Sequence, residues 1–355
     1  MKVFKRILAA IGIFLGVILL TAIGLFVWLW VTEYRPAAEE PVTVETPVEQ
    51  VLDKDTFTVL SWNVGYCGLG EESDFFMDGG EMVRPESRDW VVENLAGARG
   101  FISGVKADFT LLQEIDSNSR RSYRVDEVSE LREKLGMTSA YAMNFSTNFV
   151  PYPWPPLGRV HSGLLTFSRY TVTDATRISL PCPFSWPMSM VNLKRCLLVT
   201  RIPIKGTSKE LVIVNLHLEA YDDGEGKAAQ SQQLRDFLDE EYGKGNYVIA
   251  GGDWNQLFPD TESVWPNTHE ELWTPGYLDE AELASGWRYV WDDTVPTCRL
   301  LNQPYDQDDT ENTQYYVIDG FLVSPNLEVE SVETMDEYFA FSDHNPVLLT
   351  VSLGN

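Results

Sequence analysis

Basic residues are scarce in this chain of 355 residues, where 27 Lys and Arg stand against 53 Asp and Glu and the formal net charge is −26. A chain this acidic repels nucleic acid and anionic lipid at long range. We therefore expect no tight nucleic-acid binding, although a bound cation would reverse the sign of the charge locally. The sequence does not indicate an oligomeric state.

Cysteine is also scarce, and Cys67, Cys182, Cys196 and Cys298 lack the spacing of metal-ligand pairs. If the domain lies outside the cytoplasm, Cys182 and Cys196 could form a disulfide. Buried free thiols are the alternative, and the sequence leaves both open.

One long apolar run, residues 7–31, has the length and composition of a transmembrane helix. Residues 1–6 form a basic flank with Lys2, Lys5 and Arg6, which favours a cytoplasmic N-terminus. The run is thus predicted to be a signal anchor in the cell membrane, crossing it once, with the rest of the chain extracytoplasmic. A signal peptide cleaved after Pro36-Ala37-Ala38 is the alternative.

Residues 32–55 are rich in Pro, Glu, Val and Thr without a helical or strand period, which predicts an extended acidic linker. Residues 56–355 are predicted to form the folded domain. Apolar strand patterns alternate with helical patterns there, which indicates an α/β domain with mixed sheets. Strands are predicted over 57–64, 108–116, 163–168, 193–204, 211–218, 247–253, 315–323 and 347–353, and helices over 86–105, 125–135 and 226–242.

Polar groups follow the ends of several of these strands, beginning with the segment Gly251-Gly252-Asp253-Trp254-Asn255. The two glycines allow a close approach of the backbone to a neighbouring group. A carboxylate there can hold a metal ion or accept a proton from water, although an acidic turn would show the same residues. Six such fragments occur in order: Ser-Trp-Asn at 61–63, Leu-Gln-Glu at 112–114, Asn-Leu-His at 215–217, Gly-Asp-Trp-Asn at 252–255, Ile-Asp-Gly at 318–320 and Ser-Asp-His at 342–344.

This set resembles the signature of the endonuclease/exonuclease/phosphatase superfamily over roughly residues 57–353. The resemblance implies a four-layered α/β sandwich of two mixed β-sheets flanked by helices. It also implies a metal-dependent hydrolase of phosphate esters, with Mg²⁺ as the cofactor and Mn²⁺ as a possible substitute. On the metal side, Glu114 resembles the principal ligand and Asn63 a residue that supports metal and phosphate. Asp343 resembles a further metal-side or orienting acid.

The same resemblance implies the catalytic groups. Asp253 matches the residue that orients or deprotonates the attacking water, and Asn255 the amide that holds the phosphate. His344 matches a phosphate-contacting histidine, and Asp319 the carboxylate that pairs with it and favours the charged ring. His217 resembles a second histidine on the phosphate side.

The substrate class is less determined. Arg159-Val160-His161-Ser162 departs from the segment that many relatives show, so substrate contacts from that region do not carry over. Arg195 lies on a predicted strand, and we name it as a candidate substrate-binding residue. A membrane-anchored phosphodiesterase is the favoured interpretation. The alternatives are a nuclease for extracellular DNA or RNA, a sphingomyelinase-like or phospholipase C-like enzyme, an inositol-phosphate phosphatase, and a catalytically silent binding module.

Overall fold

The computed structural model describes residues 1–45, 48–222, 224–269, 271–308 and 312–354. The α-helices within these residues are α1 (Lys2–Val31), α2 (Arg88–Val105), α3 (Glu127–Leu135) and α4 (Glu225–Gly243). The helix α1 is long and apolar enough to cross a membrane, a test that a signal sequence also passes. The predicted boundaries of α2, α3 and α4 agree with the structure to within two residues. Gly136 ends α3 in the left-handed conformation that its position after the helical pattern predicted.

The strands of the described residues are, in chain order, β1 (Glu39–Pro41), β2 (Val44–Glu45), β3 (Thr56–Asn63), β4 (Phe109–Asp116), β5 (Thr138–Val150), β6 (Gly158–Ser168), β7 (Asp174–Ser179), β8 (Cys196–Pro203), β9 (Glu210–His217), β10 (Tyr247–Asp253), β11 (Gln256–Leu257), β12 (Gly276–Tyr277), β13 (Arg288–Val290), β14 (Cys298–Arg299), β15 (Tyr315–Tyr316), β16 (Asp319–Val323), β17 (Leu327–Thr334) and β18 (Val347–Leu353). Most of them form two seven-stranded mixed sheets. The β10 sheet has the order β1-β7-β8-β9-β10-β16-β13, and the β3 sheet has the order β17-β18-β3-β4-β6-β5-β2.

The two sheets pack face to face because successive side chains of each strand point to opposite faces. On β9, Leu211 and Ile213 lie in the core between the sheets, whereas Val212 and Val214 face the other way. That outer face of the β10 sheet packs against α4, and the outer face of the β3 sheet packs against α2 and α3. The predicted four-layered α/β sandwich is therefore confirmed.

Composition predicted an extended acidic linker over residues 32–55, of which the structure describes 32–45 and 48–55. Its strand β1 pairs with β7 at the edge of one sheet, and β2 pairs with β5 at the edge of the other. Leu52 is fully buried between the sheets. The described residues of the segment add short edge strands to both sheets, positions that tolerate Pro and charged residues.

The predicted strand 315–323 is interrupted. Val317 and Ile318 separate β15 from β16, and the backbone N–H of Ile318 donates to Thr297 Oγ1 at 2.9 Å instead of to a neighbouring strand. The four cysteines are free thiols, with Cys182 exposed and the others buried, so Cys182 and Cys196 form no disulfide in this structure.

An ion pair between the buried Glu241 and the partly exposed Arg201, far from the strand ends considered below, holds α4 on the β10 sheet. The Glu241 carboxylate accepts two hydrogen bonds of 2.8 Å from Arg201, one from Lys244 at 2.7 Å and one from Asn246 at 3.0 Å. Burial alone would raise the pKa of Glu241, but these donors outweigh it and lower the pKa to about 2.

We expect Glu241→Gln to lower the free energy of unfolding by about 1–2 kcal/mol at neutral pH, because the partly exposed Arg201 loses its two bonds to a charged carboxylate and keeps only Glu210, at 3.2 Å. Urea denaturation of both proteins measures the difference. Since the folded pKa lies below that of the unfolded chain, the stabilisation is complete above about pH 4.5 and is lost as the pH falls towards 2. The difference between the proteins should shrink over that range, and a pH-independent difference would contradict the ionised pair.

Candidate active site

The strand directions bring the polar strand ends to one end of the sandwich. In each sheet a parallel pair, β3 with β4 and β9 with β10, ends there. The strand β16 runs antiparallel to β10, so its first residue, Asp319, lies opposite Asp253. The strand β18 runs antiparallel to β3, so His344, which precedes β18, lies at the same end. We call this end the site end.

The alternation of side chains then aims these groups between the sheets. Leu211 and Ile213 of β9 are core residues, so His217 shares their face, and the same period places Asp253 on the face of Ile249. In the β3 sheet, Val59 lies in the core and Asn63 follows on that face. Apolar residues fill the middle of each inner face, and polar ones close its site end.

A cross-sheet hydrogen bond ties the sheets together directly beneath the site. Gln113 Nε2 donates to Asn215 Oδ1 at 2.8 Å, and Asn215 Nδ2 donates to the Leu112 carbonyl at 3.1 Å. Both side chains are fully buried. These two residues belong to the sequence fragments but had no predicted role, and their contacts assign them the role of fixing the spacing of the sheets.

Gly252 explains the paired glycines before Asp253. A Cβ added at Gly252 would lie 1.9 Å from the Leu216 carbonyl oxygen, and the residue has φ of +150°. The close approach is therefore to the neighbouring strand β9. It places Asp253 in register with His217 across the parallel pair.

His344 and Asp319 form a buried pair, with His344 Nδ1 2.8 Å from Asp319 Oδ2. The backbone of this pair is also held, because Trp62 Nε1 donates to the His344 carbonyl at 2.7 Å and the Asp319 N–H donates to Thr297 Oγ1 at 3.1 Å. Burial alone would lower the pKa of His344, but the Asp319 carboxylate outweighs it and raises the pKa well above its usual value. The structure thus favours a charged ring at neutral pH.

Asp253 is the centre of the site. Its Oδ2 accepts a hydrogen bond from Asn63 Nδ2 at 3.0 Å and lies 3.3 Å from His217 Nε2 and 3.9 Å from His344 Nε2. Burial, followed by repulsion from Asp319, raises the pKa of Asp253. A carboxylate of raised pKa is the type of group that accepts a proton near neutral pH.

His217 differs from His344 in its charge. Burial and the neighbouring cations, Arg195 first, lower the pKa of His217 well below its usual value. The neutral ring can donate one hydrogen bond from Nε2 to Asp253, and its Nδ1 has no hydrogen-bond partner in the described parts of the chain. Two histidines thus face the same aspartate in different charge states.

Glu114 reaches the site through a β-bulge. Leu112 and Ile115 both pack on the helix side of the β3 sheet although they are three residues apart, and the register with β6 shifts between them. Glu114 itself has φ of +56°, which is rare for a non-glycine residue. Its side chain is 24% exposed, and Glu114 Oε1 lies 3.5 Å from Asn63 Nδ2.

Asp343 lies beside this group, with Oδ2 3.9 Å from His344 Nε2. Burial raises the pKa of Asp343 to about 6, and the negative charge of Glu114 contributes. A Cβ at Gly65 would lie 2.8 Å from Asp343 Oδ1, so glycine there leaves room around the carboxylate. Carboxylate oxygens are the ligands that hard divalent cations such as Mg²⁺ prefer, and a bound cation would offset the repulsion between Glu114 and Asp343.

A second set of donors overlaps the first. One ligand atom each from Asp253, Asp319 and His344 lie within 4.8 Å of one another, close enough to hold a metal ion. Asp319 Oδ1 is buried and has no hydrogen-bond partner among the described residues. Asp319 Oδ2 already pairs with His344 Nδ1 at 2.8 Å, so a metal ion held by this set would compete with that pair.

Arg121 and Tyr66 belong to the site but were not predicted from the sequence. Arg121 Nη2 lies 3.4 Å from Glu114 Oε2, and the guanidinium bonds Asp116 through Nε at 3.1 Å and Nη2 at 3.0 Å. It stacks over the ring of Tyr66 at 3.7 Å. No hydrophobic period in the sequence distinguishes Arg121 from its neighbour Arg120. The turn after β4 is what brings Arg121 to Glu114.

Arg195 and Asn255 lie at the site in supporting positions. The buried Arg195 guanidinium pairs with Glu219 at 3.1 Å and donates to the His217 carbonyl at 3.1 Å. It therefore lies beneath the end of β9, where it does not face solvent. Asn255 has φ of +50°; its N–H donates to Asp253 Oδ1 at 2.9 Å, and its Nδ2 donates to the Leu218 carbonyl at 2.9 Å.

Three solved structures illustrate the similarity of the fold. An endonuclease/exonuclease/phosphatase from Beutenbergia cavernae DSM 12333 has a TM-score of 0.58 and 18% identity, with 85% of this chain and 72% of that chain covered. ANGEL2, a 2',3'-cyclic phosphatase, has a TM-score of 0.57 and 14% identity, with 88% and 99% covered. The human Nocturnin catalytic domain has a TM-score of 0.51 and 16% identity, with 88% and 97% covered.

At these identities the structural likeness shows the fold alone, and no curated protein matches the chain in sequence. The family model described as "Endonuclease/Exonuclease/phosphatase family" matches residues 60–344, which is more than half of the chain and includes every predicted site residue. On this match, and with the fold and the clustered strand ends in agreement, the chain belongs to the endonuclease/exonuclease/phosphatase family.

Proposed function

We propose that the protein is a Mg²⁺-dependent phosphodiesterase in which Asp253 activates the attacking water. Members of the family are hydrolases that act on phosphodiester bonds and use divalent metals. The observation that carries the proposal is the position of the buried Asp253 carboxylate, which lies between a neutral and a charged histidine and beside the acids Glu114 and Asp343.

Each residue has a role that follows from its contacts. Glu114 and Asp343, supported by Asn63, would hold Mg²⁺, which neutralises the phosphate and polarises its oxygens. Asp253 accepts the proton of the water as its oxygen forms a bond to phosphorus and the bond to the leaving oxygen breaks. The charged His344 ring stabilises the negative charge that develops on the phosphate oxygens, and Asp319 keeps that ring charged and oriented. Arg121 orients the Glu114 carboxylate.

The net charge guides the choice of substrate. A net charge of −26 repels the phosphate backbone of a nucleic acid at long range, which disfavours a nuclease. The complete set of acids and histidines disfavours a catalytically silent binding module. A phosphodiester that is not part of a nucleic acid is therefore the substrate we propose.

The location that we propose is the cell membrane, with α1 as a single-pass anchor and the catalytic domain extracytoplasmic. The support is the length and apolar composition of α1, together with the basic residues Lys2, Lys5 and Arg6 on its short flank.

Glu114→Gln tests the metal site. Loss of the carboxylate charge should raise the Mg²⁺ concentration at half-maximal hydrolysis of bis-p-nitrophenyl phosphate by about 10- to 100-fold. The Mg²⁺-dependent rise in melting temperature, measured without substrate, should shrink in parallel. Glu93→Gln, on an exposed position of α2, is the matched control and should change neither quantity. An unchanged Mg²⁺ dependence in Glu114→Gln would exclude the assignment.

A double-mutant cycle tests the pairing of Asp319 with His344. His344→Ala should lower kcat by about 10²- to 10⁴-fold, because the ring stabilises charge only in the transition state. Asp319→Asn should lower it less. The double variant should be no slower than His344→Ala alone, since Asp319 acts through the ring. Losses that multiply in the double variant would show that Asp319 has an independent role, for example as a metal ligand.

The proposed topology predicts that a protease digests the catalytic domain in cells whose outer layers have been removed but whose cytoplasmic membrane is intact. A cytoplasmic marker protein should survive in the same sample and be digested after lysis. Protection of the domain until lysis would reverse the orientation. A mature N-terminus near Glu39 would identify the apolar run as a cleaved signal peptide.

A further inference from the structure

The last turns of α1 pack against a proline-rich loop of the catalytic domain. Leu29 is the one residue of α1 that is buried, at 7% exposure. Phe26, three residues earlier and on the same helix face, meets the ring of Trp186 edge-on with a centroid distance of 5.4 Å. We call residues 181–190, which connect β7 to β8, the Trp186 loop.

Polar contacts hold this loop to the chain just after α1. Lys194 Nζ, which follows the loop, bonds the Ser189 carbonyl at 2.6 Å and lies 3.4 Å from Glu33 Oε1. The N–H of Ser179, which precedes the loop, donates to the Ala38 carbonyl at 2.8 Å. The exit of α1 and both ends of the Trp186 loop therefore form one connected unit.

The tip of the loop exposes apolar side chains. Trp186 is 59% exposed and Met188 is 57% exposed, so neither is a core residue of the domain. Large apolar groups that remain exposed on a surface contiguous with a membrane helix indicate contact with lipid.

The position of Phe26 sets the depth of the loop. Phe26 lies five residues before the end of α1 at Val31, which is about 7.5 Å along the helix axis. Because the Trp186 ring packs against Phe26, it lies at a level within the apolar span. Trp28 and Trp30 lie on α1 near the same level, where the interfacial aromatic belt of a membrane protein lies.

The strand directions place this surface at the site end. The strand β7 ends and β8 begins there, because Ser179 pairs with Cys196 and Leu197 pairs with Leu216 near the end of β9. The connection between β5 and β6 projects from the same end and exposes Tyr152 and Trp154 at 72% and 87%.

A hydrogen-bond bridge connects the loop to the rim of the site. Gln230 Nε2 donates to the Pro181 carbonyl at 2.9 Å, and Gln230 Oε1 accepts from the Glu219 N–H at 2.9 Å. Glu219 follows β9 two residues after His217 and carries the ion pair to Arg195. The loop and the catalytic end of β9 are thus separated by one buried side chain.

We propose that the Trp186 loop inserts into the lipid–water interface of the membrane that α1 crosses and holds the site end of the sandwich against that surface. The occupant of the surface is the bilayer itself, because α1 is continuous with the loop through Phe26 and Glu33. The inference rests on the proposed membrane span, and it assigns the substrate of the proposed reaction to the phosphodiesters of lipid head groups.

The exposed thiol of Cys182 provides a probe within the loop, since the other cysteines are buried. The full-length chain is reconstituted in phosphatidylcholine nanodiscs and labelled at Cys182 with an environment-sensitive thiol dye. We expect the dye to emit at shorter wavelength than in detergent-free buffer. It should also lose most of its emission when the nanodiscs contain phosphatidylcholine with a nitroxide at carbon 5 of the acyl chain.

The matched control carries the dye at the opposite end of the sandwich, in a Cys182→Ser, Ser208→Cys variant. Ser208 is exposed in the connection from β8 to β9, about 26 Å from the loop by the length of β8. We expect no quenching there. Trp186→Ser with Met188→Ser should reduce the quenching at Cys182, while hydrolysis of water-soluble bis-p-nitrophenyl phosphate stays unchanged.

Equal quenching at Cys182 and Ser208, or none at either, would overturn the proposal. Shielding of Cys182 only in nanodiscs that hold two copies of the chain would identify the loop as a self-association surface and would also overturn it. These outcomes are independent of the catalytic assignment, because the activity on bis-p-nitrophenyl phosphate is measured separately. Failure of the chain to remain with the nanodiscs would refute the span and the docking together.

Discussion

The packing of two sheets through alternating side chains determines where most groups of the candidate active site lie. The inner faces are apolar along most of each strand, so the sheets must approach each other to remove Val59, Ile213 and their neighbours from water. At the site end the same faces carry amides, acids and histidines. The hydrogen bond from Gln113 to Asn215 satisfies polar groups where this change occurs, and without it a buried amide on each sheet would lose a partner.

Acids of the same type differ in their charged partners and therefore in their proposed roles. Asp253, Asp319 and Asp343 are all buried acids, but Asp319 is committed to His344, and Asp253 is shared by two histidines of opposite charge preference. Among the described residues, no histidine lies within hydrogen-bond distance of Glu114 or Asp343. The repulsion between these carboxylates opposes burial, and a divalent cation relieves it, so the proposed cofactor also stabilises the site.

The helix α1 and the candidate active site lie at one end of the molecule for a topological reason. The strand β1 runs antiparallel to β7, so the chain enters the domain at the site end directly after α1. The Trp186 loop leaves from the same end because β7 finishes there. A helix placed before β1 therefore lies on the same side of the sandwich as the candidate catalytic groups.

Most strands with both faces buried were predicted from the sequence, because they are continuous apolar runs. The helices α2, α3 and α4 were predicted from their helical period. The strands β5, β7 and β17 were not predicted. In β17, for example, Glu and Ser alternate with apolar residues, because the strand lies at the edge of a sheet where burial is partial. The short strands within 257–313 have too few residues to show a period. The pairing of β1 and β2 with the sheet edges was not predicted, because the composition of residues 32–55 indicates an extended chain but not its partners.

The residue types of the site and their order along the chain were determined by the sequence, because motif residues such as Asn63, Glu114 and His344 are local features. The tertiary structure decided which of them touch. Glu114 reaches the site only because a bulge reverses the alternation of β4, and Arg121 lies under it only because the following turn folds back. Arg195, which a strand pattern leaves free to face solvent, is buried against Glu219. Distances between residues far apart in sequence depend on strand direction and register, which no local pattern encodes.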